Sequence, residues 1–84
     1  MFSYKTKGVC SSTINLEIVD NVIQSVEFIG GCNGNLQGIG HLVQGMKVDD
    51  VIERLNGIHC GKRSTSCPDQ LSLALLKWKK ENNC

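Results

Sequence analysis

The sequence predicts an α+β fold: a small antiparallel N-terminal sheet of about three strands, with two or three helices packed on one face. Three observations carry that expectation. Apolar and polar residues alternate through the first third of the chain. A glycine-rich break follows at Gly30-Gly31-Cys32-Asn33-Gly34-Asn35. Beyond it, apolar residues recur at helical spacing to the C-terminus.

The strands come first. Phe2-Ser3-Tyr4-Lys5-Thr6 alternates large and polar residues, and Ile14, Leu16 and Ile18 alternate with Asn15, Glu17 and Val19. Asp20-Asn21 offers two residues that tolerate the positive φ of a tight hairpin turn. Val22, Val26 and Phe28 follow at even spacing, with Glu27 directed the other way. The expected meander runs over 2–7, 12–19 and 22–29, with one face toward the core.

Helices follow the break. Leu36, Ile39, Leu42 and Val43 predict a helix over 35–45. Gly38 and Gly40 within it each cost about 1 kcal/mol relative to alanine, unless another backbone comes close. Asp49 and Asp50 open a second short helix with Val51, Ile52 and Leu55 inward, and Asn56-Gly57 supplies its left-handed stop. Ser66-Cys67-Pro68-Asp69 reads as a helix start, with a capping hydroxyl, a proline in the first turn and an acid at the positive dipole end. Leu71, Ala74, Leu75 and Trp78 form its apolar stripe through about residue 80, with Lys77, Lys79 and Lys80 toward its C-terminus. Phe2, Phe28 and Trp78 are the largest apolar side chains and are expected to meet across sheet and last helix.

Size and charge bound the function. Eighty-four residues make one domain over 1–84. A core this small contributes only about 3–5 kcal/mol of net stability, and natural domains of this size often add a staple. The chain has no room for a radical barrel, a dinucleotide-binding unit with a substrate domain, or a pair of kinase lobes. The net charge is +1, with basic residues at both ends and acidic ones between. With so few aromatic side chains, a nucleic-acid partner is disfavoured. No apolar run approaches the ~20 residues of a membrane span, and Met1-Phe2-Ser3-Tyr4-Lys5 lacks a secretory apolar region, so a cytoplasmic location is expected. An unpaired edge on the first strand would allow a homodimer.

The concentrated chemistry lies in the cysteines: Cys10, Cys32, Cys60, Cys67 and Cys84. The first four fall at element ends beside Gly8, Gly31, Gly61 or Pro68, away from the apolar stripes where packed structural thiols belong. A reducing compartment disfavours a disulfide framework. Two chemistries fit. Four thiolates could converge on one metal, most simply tetrahedral Zn²⁺, with Lys62 and Arg63 offsetting the negative charge. Alternatively, Cys67, at a helix N-terminus where backbone N–H groups attract negative charge, could act as a redox thiol with Cys60 as its resolving partner. The intervals of 21, 27 and 6 residues match no common zinc module, so inert thiols remain a third reading. Cys84, the last residue, is incidental.

Other candidates are weaker. His41, on the first predicted helix, and His59, beside Cys60, could replace a cysteine as ligand. Gly31, Asn33, Gly34 and Asn35 outline an anion cradle leading into a helix, and a nucleotide- or anion-binding module follows from that outline. The loop lacks a P-loop's lysine ending, which favours a turn that simply places Cys32. Asp49, Asp50 and Glu53 read as capping and a solvated face.

Residues 65–69 read Thr-Ser-Cys-Pro-Asp. This string, with Gly31-Cys32-Asn33-Gly34-Asn35-Leu36, Gly38-Ile39, Leu55-Asn56-Gly57-Ile58, Cys60-Gly61 and Gln70-Leu71, resembles the small stand-alone four-cysteine branch of the TSCPD domain family. The resemblance spans nearly the whole chain. It implies a link to ribonucleotide reduction, since such domains occur as C-terminal pieces of adenosylcobalamin-dependent ribonucleotide reductases. It further implies that Cys10, Cys32, Cys60 and Cys67 are metal or redox residues, and that the partner is a ribonucleotide reductase or similar enzyme. A ribonucleoside-diphosphate reductase label would follow from kinship alone, because the chain is too short to be a complete reductase.

Overall fold

Asp20 and Asn21 both adopt positive φ, +52° and +65°, as a two-residue hairpin turn demands. That turn joins β2 (Ser11–Val19) to β3 (Val22–Gly30), and β1 (Phe2–Lys5) pairs with the other side of β2. The sheet is antiparallel in the order β1-β2-β3. The computed structural model describes residues 2–31, 33–59, 61–62 and 64–82, with Asn33 described by its main chain only.

Two cross-strand rows define the inner face: Phe2, Leu16 and Val26 in one register, and Tyr4, Ile14 and Phe28 in the next. Side chains paired in this way are the unit of sheet stability. The outer face carries a polar row, in which Ser3 donates to Asn15 (2.7 Å) and Asn15 to Glu27 (3.3 Å).

Strict alternation fails at two places. Gln24 is an extra residue between the Ser25 and Ile23 pairings, and Ser12 is extra between those of Ser11 and Thr13. A bulge reverses which residues face inward. Ile23, which even spacing from Val26 and Phe28 would turn outward in favour of Val22, is therefore fully buried, whereas Val22 is half-buried. Ser11 is likewise brought inside.

Helices α1 (Asn33–Val43), α2 (Val48–Leu55) and α3 (Cys67–Glu81) complete the fold. Their Val43, Val48, Val51, Leu71, Ala74 and Leu75 join Ile14, Leu16 and Ile23 in one core. Among the described residues, no helix is long and apolar enough to cross a membrane.

Several boundaries differ from expectation for identifiable reasons. β1 stops at Lys5 because the Lys7 N–H leaves the sheet and donates to Gln70 Oε1 on α3 (3.0 Å). α1 starts at Asn33 and ends at Val43, short of residue 45. Its continuation is blocked because Gly45 N–H bonds to Ile23 O and Ile23 N–H to Met46 O, a seam that also holds the start of α2. Leu42 lies off the stripe and is exposed. Phe2 and Trp78 line one surface hollow, with Leu16 and Ile18, while Phe28 lines another with Leu36. Lys77 Nζ stands 5.9 Å from the Tyr4 ring centroid and ties α3 to β1.

The two glycines inside α1 differ. A Cβ at Gly40 would sit 3.0 Å from the Val26 carbonyl oxygen, whereas one at Gly38 meets nothing within 4 Å. Gly38→Ala is expected to stabilise the protein by about 0.5–1 kcal/mol. Gly40→Ala is expected to destabilise it by about 1 kcal/mol, because backbone must move apart to admit the methyl. Urea unfolding of the two variants checks the opposite signs.

Candidate functional site

The site is built at the N-terminus of α3. Ser66 caps it, with its Oγ accepting from Asp69 N–H (3.1 Å) while donating to Ile58 O. Pro68 occupies the first turn, where a missing N–H costs nothing. The Asp69 carboxylate is buried, accepting Gly57 N–H on one oxygen (2.7 Å) and the Thr65 hydroxyl on the other (2.6 Å). Gly57 has φ +85°, so the left-handed stop after α2 is also what carries its N–H to Asp69. Gln70 donates to Thr65 Oγ1 (3.0 Å) and accepts Lys7 N–H. Ser72, fully buried, accepts from Asn56 Nδ2 (3.1 Å) and donates to Asp69 O (2.6 Å).

This clamp ties three segments to one helix end: the β1–β2 connection through Gln70, and the two ends of the α2–α3 loop through Ser66, Asp69 and Ser72. Cys67 sits inside it. Its sulfur lies 3.9 Å from Cys10 Sγ and 3.3 Å from Ser11 Oγ. Cys10 is exposed and Cys67 is buried. Ser11 reaches Cys67 because of the Ser12 bulge.

Gly31 completes the surroundings. A Cβ there would fall 2.9 Å from Leu36 Cδ1, 3.0 Å from Ser11 N and 3.2 Å from Cys10 Sγ, and its φ is +81°. Only glycine allows the β3–α1 connection this close to Cys10.

Two of the four cysteines singled out in the sequence, Cys10 and Cys67, are thus brought together across 57 positions of chain. Cys32 and Cys60 lie outside the described residues, as do Arg63 and Cys84. Among the described residues, no group of three or more His, Cys, Asp or Glu side chains could hold a metal ion. His41 is exposed beside Ser25, Gln37 and Gln44, and His59 is exposed. Gly31 stands in the bend before α1, and Asn33, Gly34 and Asn35 form the first turn of that helix.

Sequence reasoning quoted Thr65 and Gln70 only as motif residues, with no bonding role, and passed over Ser72 and Ser11. Asp69 stands in the first turn of α3, at the dipole end as read from the sequence, and the structure adds that it is a buried double acceptor. Polar residues set next to apolar ones at a helix start were the available signal.

Fold and site together define a small α+β module that gathers cysteines at the start of its last helix. The chain belongs to the TSCPD domain family, whose model matches residues 2–78. TSCPD domains are found in ribonucleotide reductase-related proteins. Comparison with curated proteins and with solved structures gave no match.

Proposed function

We propose that this protein is a non-catalytic, cysteine-rich module that holds a structural Zn²⁺ through Cys10, Cys67, Cys32 and Cys60, and acts as an accessory or interaction domain for a ribonucleotide reductase. The observation that carries the metal reading is the Cys10–Cys67 sulfur separation of 3.9 Å. Two thiolates on a tetrahedral zinc with bonds of about 2.3 Å stand about 3.7–3.9 Å apart. Chain order supports the choice of the other two donors. Gly31, which packs on Cys10, directly precedes Cys32, and Ile58, bonded to the Ser66 cap, stands two residues before Cys60. Thiolates are soft donors suited to zinc. A structural site of this kind has an apparent binding energy of about 10–16 kcal/mol, larger than the net stability of a small core.

Elemental analysis of protein purified without added metal is expected to give about one equivalent of zinc. Cys10→Ser and Cys67→Ser are each expected to lose most of it, and a chelator should lower the melting temperature of the unaltered protein. Less than about a tenth of an equivalent, with melting unmoved by chelation, would remove the metal reading. The accessory role rests on the family. It predicts co-elution with a ribonucleotide reductase in size-exclusion chromatography, and separate elution of the two would remove the partner.

A further inference from the structure

We propose that the outer edge of β1 is a docking site for an acidic, extended segment of a partner protein, which adds to the sheet as a fourth strand beside Ser3 and Lys5. This rests neither on the zinc reading nor on the identity of the partner, since it uses main-chain groups rather than sulfurs.

The backbone of β1 shows which groups are available. Thr6 N–H bonds to Ser12 O across the β1–β2 pair, and the register places Tyr4 against Ile14 and Phe2 against Leu16. In an antiparallel ladder the N–H and C=O of one residue point the same way, and successive residues alternate. Phe2, Tyr4 and Thr6 therefore face β2, and Ser3 and Lys5 turn their N–H and C=O outward. β1 ends the sheet, and no main-chain bond among the described residues closes that side at Ser3 or Lys5. Both residues are exposed. Lys7, next in the alternation, has its N–H closed by Gln70 Oε1, so the open stretch ends there.

Helix α3 runs beside this edge. Gln70 bonds to Lys7 at one end, and Lys77 stands over the Tyr4 ring further along. Leu73, three residues after Gln70 and four before Lys77, shares that helix face and is half-buried. Beyond Tyr4, Phe2 and Trp78 line their hollow with Leu16 and Ile18. An added strand thus has apolar side chains beside its inner face and lysine beside its outer one, while main-chain bonds hold it. The open charge has one sign. Lys5, Lys7 and Lys77 flank the edge, and the acids of the adjoining β2 and α3, Glu17, Asp69 and Glu81, each have partners. The Lys77–Glu81 pair spans 4.0 Å with both side chains more than half exposed, a weak pairing that an incoming carboxylate can replace.

A second copy is the poorer occupant. Edge against edge would set Lys5 and Lys77 of both copies around one axis, and a lysine on an edge strand discourages such pairing. A strand of four residues also buries far less than the about 1,200 Å² at which stable protein–protein interfaces begin.

The probe is the peptide acetyl-Glu-Val-Glu-Val-Glu-amide, titrated into the isotope-labelled full chain and followed by amide NMR. When extended it carries glutamates on one face and valines on the other. The amide signals of Ser3 and Lys5 are expected to shift most and to saturate, while those of Tyr4 and Thr6 shift less. Ser3→Pro removes one outward N–H and leaves the β1–β2 ladder intact, because an edge accepts proline where its nitrogen faces solvent. It should weaken binding about tenfold or more at an unchanged melting temperature, since main-chain bonds carry the affinity. Lys5→Glu should weaken binding about tenfold at low salt, and acetyl-Lys-Val-Lys-Val-Lys-amide should leave the signals unmoved. No saturable shift at Ser3 and Lys5 by about 5 mM peptide, equal binding of the lysine peptide, or undiminished binding to folded Ser3→Pro would overturn the proposal. So would a dimer in sedimentation without peptide, with Ser3 and Lys5 signals moving on dilution, because the edge then belongs to a second copy. The shifts are mapped in unaltered protein, so a variant that fails to fold does not blunt the test. Zinc content is measured separately, and neither result decides the other.

Discussion

Asp69→Ala is expected to cost about 3 kcal/mol and to lower the melting temperature by roughly 15 °C. The carboxylate accepts Gly57 N–H on one oxygen and the Thr65 hydroxyl on the other. Hydrogen bonds to a charged group contribute about 1.5–3 kcal/mol each, and removing the acceptor strands its donors. For a chain of this length each kcal/mol moves the midpoint by about 4–8 °C. Asp69→Asn keeps an acceptor for Gly57 and should cost about half as much. Thermal unfolding of the three proteins checks the order. A second readout separates clamp from bulk stability: labelling of Cys67 by a bulky thiol reagent should quicken about tenfold in Asp69→Ala, because the helix start opens locally. If Asp69→Ala melts within about 2 °C of the unaltered protein, the buried carboxylate does not hold the site together.

Leu71→Ala is expected to cost about 2–5 kcal/mol by a different route. Leu71 is fully buried on α3, one turn past the cap, within the core shared by β2, β3 and all three helices. Truncation leaves a cavity that a small and tightly connected core has little freedom to collapse. Urea unfolding should show a lower midpoint with an unchanged slope. Under conditions where both variants are folded, Cys67 labelling in Leu71→Ala should stay below that of Asp69→Ala, since the hydrogen bonds of the helix start are intact. The pair of substitutions, two residues apart on one helix, thus separates what packs the helix from what aims its cysteine.

Much of the fold was legible beforehand. The turn at Asp20-Asn21, the cap at Ser66 and the stripe Leu71, Ala74, Leu75 and Trp78 are local signals, each decided by neighbours within a few residues. The choice of Ile23 over Val22, and the turning inward of Ser11, were not legible. A bulge depends on the register of the partner strand, which a single strand's alternation does not encode. Leu42 misled for a related reason: it is apolar and near the stripe, yet one step around the helix places it in solvent.

The candidate site divides in the same way. Residue types at element ends pointed to Cys10 and Cys67 as chemistry rather than packing. Their meeting, and the role of Thr65, Asp69 and Gln70 in arranging it, came only from the folded chain. Periodicity, turns and caps are short-range properties, and the order of residues alone determined them here. The approach of two sulfurs 57 positions apart was decided by tertiary structure. It depends on a bulge in β2, a glycine that lets the β3–α1 connection come near, and a buried carboxylate that draws in the loop after α2. Each of these acts between segments distant in sequence, where hydrogen-bond partners are chosen by three-dimensional packing.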